Sequence, residues 1–344
     1  MGQNKFFRNR RTTAFLMAGM ALSTLAFAGC GSSQAAPVSK KVTLLMLPKF
    51  TGIAPFTDAA HGATVVSKKY GYNLVYNGPT TASASAQVRF IDTAVADHYK
   101  GIMLSADNPA AVSPALEAAM KKGVFVVGFD SDVLHPAREM FVAGASNAEI
   151  ASVELKMLGS QIGYKGSFAI ISSTPTETNQ NTWIALMKKD LRSNPKYKNM
   201  RLATIVYGTN NPSQASTVTQ GLLQRYPNLK GIISPTTIGI AAAAQVLAKD
   251  KNVHVVLTGL GDPNQMRSYV ESGVVKEFAL WSFQREGEIA TYAMHALLSH
   301  KITGKPGQSF NAGPYGTITI GANSDIVAGP PIVFTKSNIG KYHF

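Results

Sequence analysis

The sequence has one cysteine in 344 residues, Cys30, so no internal disulfide can staple the fold. Acids are scarce: 19 Asp and Glu stand against 33 Lys and Arg, for a net charge of +14. Outside its N-terminal stretch it lacks an apolar run of the ~20 residues that cross a bilayer. Catalytic and nucleotide-binding signatures are missing too. There is no G-x-S-x-G elbow, no Walker A loop and no H-E-x-x-H pair, and Gly259-Leu260-Gly261 lacks the third glycine of a dinucleotide loop. The histidines (His61, His98, His135, His254, His295, His300, His343) are scattered without ligand spacing. No enzyme activity, no metal and no cofactor is therefore expected.

At 45% apolar and 15% charged residues the composition is that of a soluble globular protein, and its length favours two domains over one core. Lys5, Arg8, Arg10 and Arg11 open the chain, and Thr12 to Ala28 is apolar and small. Residues 1–29 thus read as a signal peptide. The stretch Leu25-Ala26-Phe27-Ala28-Gly29-Cys30-Gly31-Ser32-Ser33 resembles the lipobox of bacterial lipoproteins, with Phe27 where a small aliphatic residue is usual. That resemblance implies an acylated Cys30, a lipid-anchored tether over 30–40, and a folded part outside the cytoplasm at the cell membrane. Ala26-Phe27-Ala28 would also serve an ordinary signal peptidase, leaving a secreted protein with a free thiol.

The four basic residues of the leader carry +4 of the +14, leaving about +10 on the mature chain. Nucleic acid is not the expected partner. The lysines are dispersed as pairs (Lys40-Lys41, Lys68-Lys69, Lys121-Lys122, Lys188-Lys189) at separate helix ends, where cations complement the helix dipole. No arginine-rich run interleaves with aromatics.

From Val42 onward, short apolar runs alternate with segments whose apolar residues recur at helical spacing. Strand, loop, helix with short loops predicts parallel sheets covered on both faces. The rhythm breaks at Met140 to Ala145, read as the first passage between lobes, and a second series follows. The expected architecture is α/β: two doubly wound parallel-sheet lobes joined by a multi-strand hinge. The first lobe is assigned 41–143 plus about 281–312, the second 144–280 plus about 313–344. Gly304 to Phe344 is Gly- and Pro-rich, with strand-like Thr317 to Ile320 and Ile332 to Thr335.

Ligands of such sheets bind beyond the strand C-termini, and there polar residues collect: Lys49 with Phe50, Asp107 with Asn108, Asp130 with Asp132, Asn179 with Gln180, Pro235 to Thr237, and Asp262. Asn and Gln offer donor and acceptor without charge, which suits a hydroxyl-rich neutral molecule. Asn179, Gln180 and Asn181 could equally form a helix N-cap cluster. Asp130 and Asp132 are expected to face apart, one serving the cleft and the other a cap or hinge. An aspartate accepts charge-assisted hydrogen bonds from vicinal hydroxyls. Phe50, Phe56 and Trp281 could supply flat apolar surface for a sugar ring, or pack the core.

Specific motifs run through the chain: Tyr76-Asn77-Gly78-Pro79-Thr80, Phe129-Asp130-Ser131-Asp132, Asn179-Gln180-Asn181, Ile233-Ser234-Pro235-Thr236-Thr237-Ile238-Gly239, Pro263-Asn264-Gln265-Met266-Arg267 and Val275-Lys276-Glu277-Phe278-Ala279-Leu280-Trp281. With them the sequence resembles the substrate-binding proteins of ABC transporters. It is similar to the type I sugar-binding group that includes ribose-binding protein, and within it to the rhamnose-binding and autoinducer-2-binding branch. The resemblance implies a sugar-binding cleft that closes at a hinge, a membrane permease with its ATPase as partners, and a monomer. It implies ligand contacts from Lys49, Asp130, Asn179, Gln180, Pro235 and Thr237. Autoinducer-2 receptors carry Asp where Asn179 stands and Ala where Thr237 stands. The Asn-Gln-Asn and Pro-Thr-Thr forms look instead like rhamnose-binding members, so rhamnose or a similar deoxyhexose or pentose is the first expectation and autoinducer-2 the alternative. A signalling receptor would share the cleft. A LacI-like regulator would need a DNA-binding segment where the leader stands.

Overall fold

The structure, a computed structural model, describes residues 41–250 and 254–344. The leader, the tether and Cys30 lie outside the described residues. The chain opens with β1 (Thr43–Leu47), α1 (Ala54–Lys69), β2 (Asn73–Tyr76), α2 (Ala84–Ala96), β3 (Gly101–Leu104), α3 (Pro109–Lys121), β4 (Phe125–Phe129) and β5 (Met140–Ala143). These strands form one parallel sheet in the order β2-β1-β3-β4-β5. Leu44 and Met46 of β1 point into the apolar cluster that holds α1, while Leu45 and Leu47 point into the one that holds α2 and α3. Burial on both faces explains the unbroken apolar run, each such side chain contributing about 1.5–3 kcal/mol.

The second series is α4 (Asn147–Gln161), β6 (Lys165–Ser172), α5 (Thr178–Ser193), β7 (Asn199–Tyr207), α6 (Pro212–Arg225), β8 (Gly231–Ser234), α7 (Thr237–Lys249), β9 (Val256–Gly259), α8 (Pro263–Glu271) and β10 (Glu277–Leu280). Its parallel sheet runs β7-β6-β8-β9. The chain then returns with α9 (Phe283–Leu298), which packs along α1 in the first lobe. β11 (Ser309–Asn311) and β12 (Thr317–Thr319) make a small antiparallel pair. β13 (Asp325–Val327) adds to the first sheet beside β5, and β14 (Ile332–Thr335) pairs with β10.

The position of β13 corrects one boundary. The segment from 313 was assigned to the second lobe, but pairing with β5 keeps the chain on the first sheet as far as Val327. Three segments therefore cross between the lobes, after β5, after β10 and after β13. They are packed together: Ala328 donates its N–H to the Ala143 carbonyl at 2.8 Å, and Gly329 to that of Gly144 at 3.2 Å. A Cβ on Gly144 would sit 1.9 Å from Nε1 of Trp281, so only glycine lets these two crossings touch.

In both sheets the strand order reverses beside the first strand of the series, between β1 and β3 and between β6 and β8. Such reversals splay the following loops apart and open a crevice at the strand C-termini. Here the loop after β1 carries Lys49, the loop after β6 carries Glu177, and the loop after β8 carries Pro235 and Thr236.

Candidate functional site

The two crevices share one cavity. The first lobe lines it with Lys49, Phe50, Ile53, Pro55, Phe56 and Asp130. The second contributes Glu177, Asn179, Gln180, Trp183, Asn210, Pro235, Thr236, Thr237, Ile238 and Leu260, and the β10–α9 crossing adds Leu280, Trp281 and Phe283. Its volume is about 60 Å³, where one water takes roughly 10–15 Å³ on the same measure. It is a chamber for one small molecule, not for a polymer.

A charged network occupies one part of it. Lys49 Nζ lies 2.8 Å from Glu177 Oε2 and 3.3 Å from Asp130 Oδ2, with all three side chains buried. Burial alone would lower the Lys49 pKa; the Asp130 and Glu177 carboxylates outweigh it and hold the amine above the ordinary lysine value. Asp130 Oδ2 also accepts from Ser105 Oγ at 2.6 Å. Glu177 accepts from Gln180 Nε2 at 3.2 Å and from Asn210 Nδ2 at 2.7 Å. Gln180 Oε1 in turn accepts from Ser172 Oγ and the Ser173 N–H, at 2.7 and 2.9 Å. Gln180 is thus committed within the protein and orients Glu177, whereas among the described residues the Asn179 amide nitrogen has no hydrogen-bond partner.

Asp130 sits at φ +56°, a left-handed conformation uncommon outside glycine. Its N–H donates to Oε1 of Glu286 at 2.7 Å, and Oε2 of the same carboxyl accepts from Trp281 Nε1 at 2.7 Å. Full burial, then the Asp130 charge, push the Glu286 pKa well above the usual carboxylate range. The turn at Asp130 is also what separates it from Asp132, since residues two apart in a regular strand share a face. Asp132 grips Arg138 with both oxygens, at 2.6 and 2.7 Å, and lines a neighbouring cavity on the hinge side.

Aromatic rings form a second, continuous part of the wall. Phe50 meets Phe56 edge-on at 5.8 Å, Phe56 meets Phe283 at 6.2 Å, Phe283 stacks on Trp281 at 4.9 Å, and Trp281 meets Trp183 at 6.0 Å. Phe50, Phe56 and Trp281 therefore both line the cavity and pack against other rings.

Of the twelve residues expected at a ligand site, nine line this cavity: Lys49, Phe50, Phe56, Asp130, Asn179, Gln180, Pro235, Thr237 and Trp281. Three do not. Asn108 is the N-cap of α3 and accepts from Ala111 N–H at 3.2 Å. Asp262 is the N-cap of α8 and accepts from Gln265 N–H at 3.0 Å. Asp132 is held by Arg138. Asn179 is not a cap, because α5 starts at Thr178 with Glu177 in the N-cap position.

A model of the periplasmic binding protein domain matches residues 44–302. The fold also matches a sugar ABC transporter protein of Actinomyces odontolyticus, at 40% identity over 88% of this chain and 98% of that one, with a TM-score of 0.73. An ABC transporter solute-binding protein of Clostridium phytofermentas with bound L-rhamnose matches at 32% identity over 88% and 98%, with a TM-score of 0.83. LsrB of Clostridium saccharobutylicum in complex with AI-2 matches at 27% over 88% and 100%, with a TM-score of 0.82. The chain belongs to the periplasmic binding protein family.

Sequence reasoning about this periplasmic binding protein passed over Glu177, Asn210, Trp183, Phe283 and Glu286. Glu177 had a visible signal: it is the one acid in the polar loop from Ser172 to Thr178. Asn210 had a weaker one, in Gly208-Thr209-Asn210-Asn211 ahead of Pro212, where Asn210 adopts φ +55°.

Proposed function

We propose that this periplasmic binding protein is the extracytoplasmic solute-binding component of an ABC importer, and that it takes a small neutral sugar, first of all rhamnose or a similar deoxyhexose or pentose. The observation that carries this is the division of one small cavity into a hydrogen-bonding cluster and an apolar wall. Asp130, Asn179 and Lys49 would meet ring hydroxyls. The rings of Phe50, Phe56 and Trp281, with Ile238, Leu260 and Leu280 beside them, would take the C–H face and a deoxy carbon. The relative with bound L-rhamnose supports the same ligand class. Autoinducer-2 is the second reading, favoured by the LsrB relative in complex with AI-2. Asn179 and Thr237, which replace Asp and Ala of the receptor pattern, weigh against it.

The cycle follows from the three crossings. Ligand docks on one lobe, the other swings over it, and contacts to both lobes favour the closed form. The permease and its ATPase then receive that form, and no bond in the sugar changes. Anchoring through an acylated Cys30 would keep the protein at the membrane as a monomer.

A thermal-shift panel of rhamnose, other deoxyhexoses, ribose and autoinducer-2 tests the assignment. A ligand held only by the native state stabilises it by about 2.7 kcal/mol at 100 times its Kd. Rhamnose or a near relative is expected to give the largest rise in melting temperature, and Asn179→Ala to abolish it while leaving the ligand-free melt unchanged. A shift from autoinducer-2 alone would select the second reading; a full response of the variant would refute the site.

A further inference from the structure

The cavity's charged lining is Lys49, Asp130 and Glu177: one cation and two anions. An unpaired lysine amine in such a cleft would draw a carboxylate or phosphate through charge-assisted hydrogen bonds. Here its amine is already engaged, 2.8 Å from Glu177 and 3.3 Å from Asp130, and it is only 5% exposed. We propose that Glu177 is the specificity-determining residue of this site: by consuming the Lys49 charge it makes the closed cavity accept neutral sugars and refuse acidic ones. The proposal rests on the carbohydrate reading given above.

Glu177 is a built feature, not a stray surface acid. It is 1% exposed. Its oxygens accept from Gln180 Nε2 and Asn210 Nδ2 as well as from Lys49. It also occupies the N-cap position of the sixteen-residue helix α5, where the helix dipole favours negative charge. Its side chain does not serve that helix as a cap; it is turned into the cavity instead. Three donors and a helix terminus keep the carboxylate in place, so it does not swing aside for an incoming anion.

The pair also spans the cleft. Lys49 follows β1 in the first lobe and Glu177 precedes α5 in the second, 128 residues apart. A hinge opening that parts the lobes would part this pair, and closing would restore it as water is squeezed out. An acidic sugar admitted to the open cleft would become a third anion around a single amine in a water-poor chamber, and closure over it would be opposed. A neutral polyol meets no such opposition and can still use the free capacity of Asp130, Asn179 and Asn210. Selection against a competitor by placed repulsion is a general device of specific sites.

Isothermal titration with L-rhamnose and D-galacturonate tests this, using the wild-type chain, Glu177→Gln and Glu177→Asp. Wild type is expected to prefer rhamnose at least ~100-fold, about 2.7 kcal/mol. Glu177→Gln keeps the shape and the hydrogen-bond acceptor but loses the charge, and is expected to narrow that ratio at least ~10-fold, about 1.4 kcal/mol. Glu177→Asp keeps the charge and is expected to keep the ratio. An unchanged ratio in Glu177→Gln, or an equal loss in Glu177→Asp, overturns the proposal. A measurement on wild type alone guards against a variant that does not fold: D-galacturonate should bind at least ~10-fold more weakly than neutral D-galactose, about 1.4 kcal/mol, and equal affinities would overturn the proposal. Absence of binding by any sugar to the wild-type chain would overturn the carbohydrate reading itself, a result distinct from a rhamnose-binding protein with an unaltered ratio.

Discussion

The two walls of the cavity are built differently. On the first lobe, Asp130 is fixed from behind by groups in the core: Ser105 holds its carboxylate and the fully buried Glu286 holds its backbone N–H in a left-handed turn. On the second lobe, Glu177, Gln180 and Asn210 chiefly hold one another, and Asn179 and Asn210 are partly exposed. The first wall is a preset anchor whose geometry the fold dictates. The second is a mutually supported cluster at helix N-termini, whose members hold one another instead of being held by the core. A strained backbone persists only where its surroundings over-determine it, and Asp130 is such a place.

That contrast sets the order of expected effects. Asp130→Ala should be the largest, because it removes the anchor and leaves Lys49 to Glu177 alone. Sugar affinity is expected to fall at least ~100-fold by titration calorimetry, about 2.7 kcal/mol. A loss of only a few-fold would mean that the two walls are equivalent. Asn210→Ala takes one donor from the cluster while Gln180 and Lys49 remain on Glu177. A loss of about tenfold is expected, in line with ~1.5 kcal/mol for a hydrogen bond to a charged group.

The smallest effect comes from pH. The Lys49 pKa is raised in the folded protein. Its contribution is therefore fully present below the unfolded lysine value of about 10.4 and is lost as pH rises through the folded value. Melting temperatures should show no Lys49 contribution to any change between neutral pH and about pH 10, when wild type is compared with Lys49→Met. The difference should shrink only in stronger alkali. A difference that already shrinks near neutrality would mean that the amine is not held by its two carboxylates.

Much of this was legible in the sequence, and the misses share a cause. The strand–helix alternation carried the fold because strands buried on both faces read as continuous apolar runs. Lys49, Asp130 and Pro235 were legible because they directly follow such runs. Asn108 and Asp262 follow them too, yet their side chains turn back onto the N–H groups of their own helices. Cap and ligand contact draw on the same short polar residues, so position alone does not separate them. Glu177 was obscured for the opposite reason: its meaning depends on Lys49, which no local pattern announces. The boundary set at 313 failed because β13 is three residues long, and its place is set by pairing with β5, not by its own composition.

The chain contains two tryptophans, Trp183 and Trp281, and both line the cavity with their rings 6.0 Å apart. One rides on α5 in the second lobe and the other on a crossing between the lobes, where its indole N–H is bound by Glu286. All indole emission from this molecule therefore originates at the chamber. The protein carries an optical reporter of its own occupancy, with no tryptophan elsewhere in the sequence and no dye to attach.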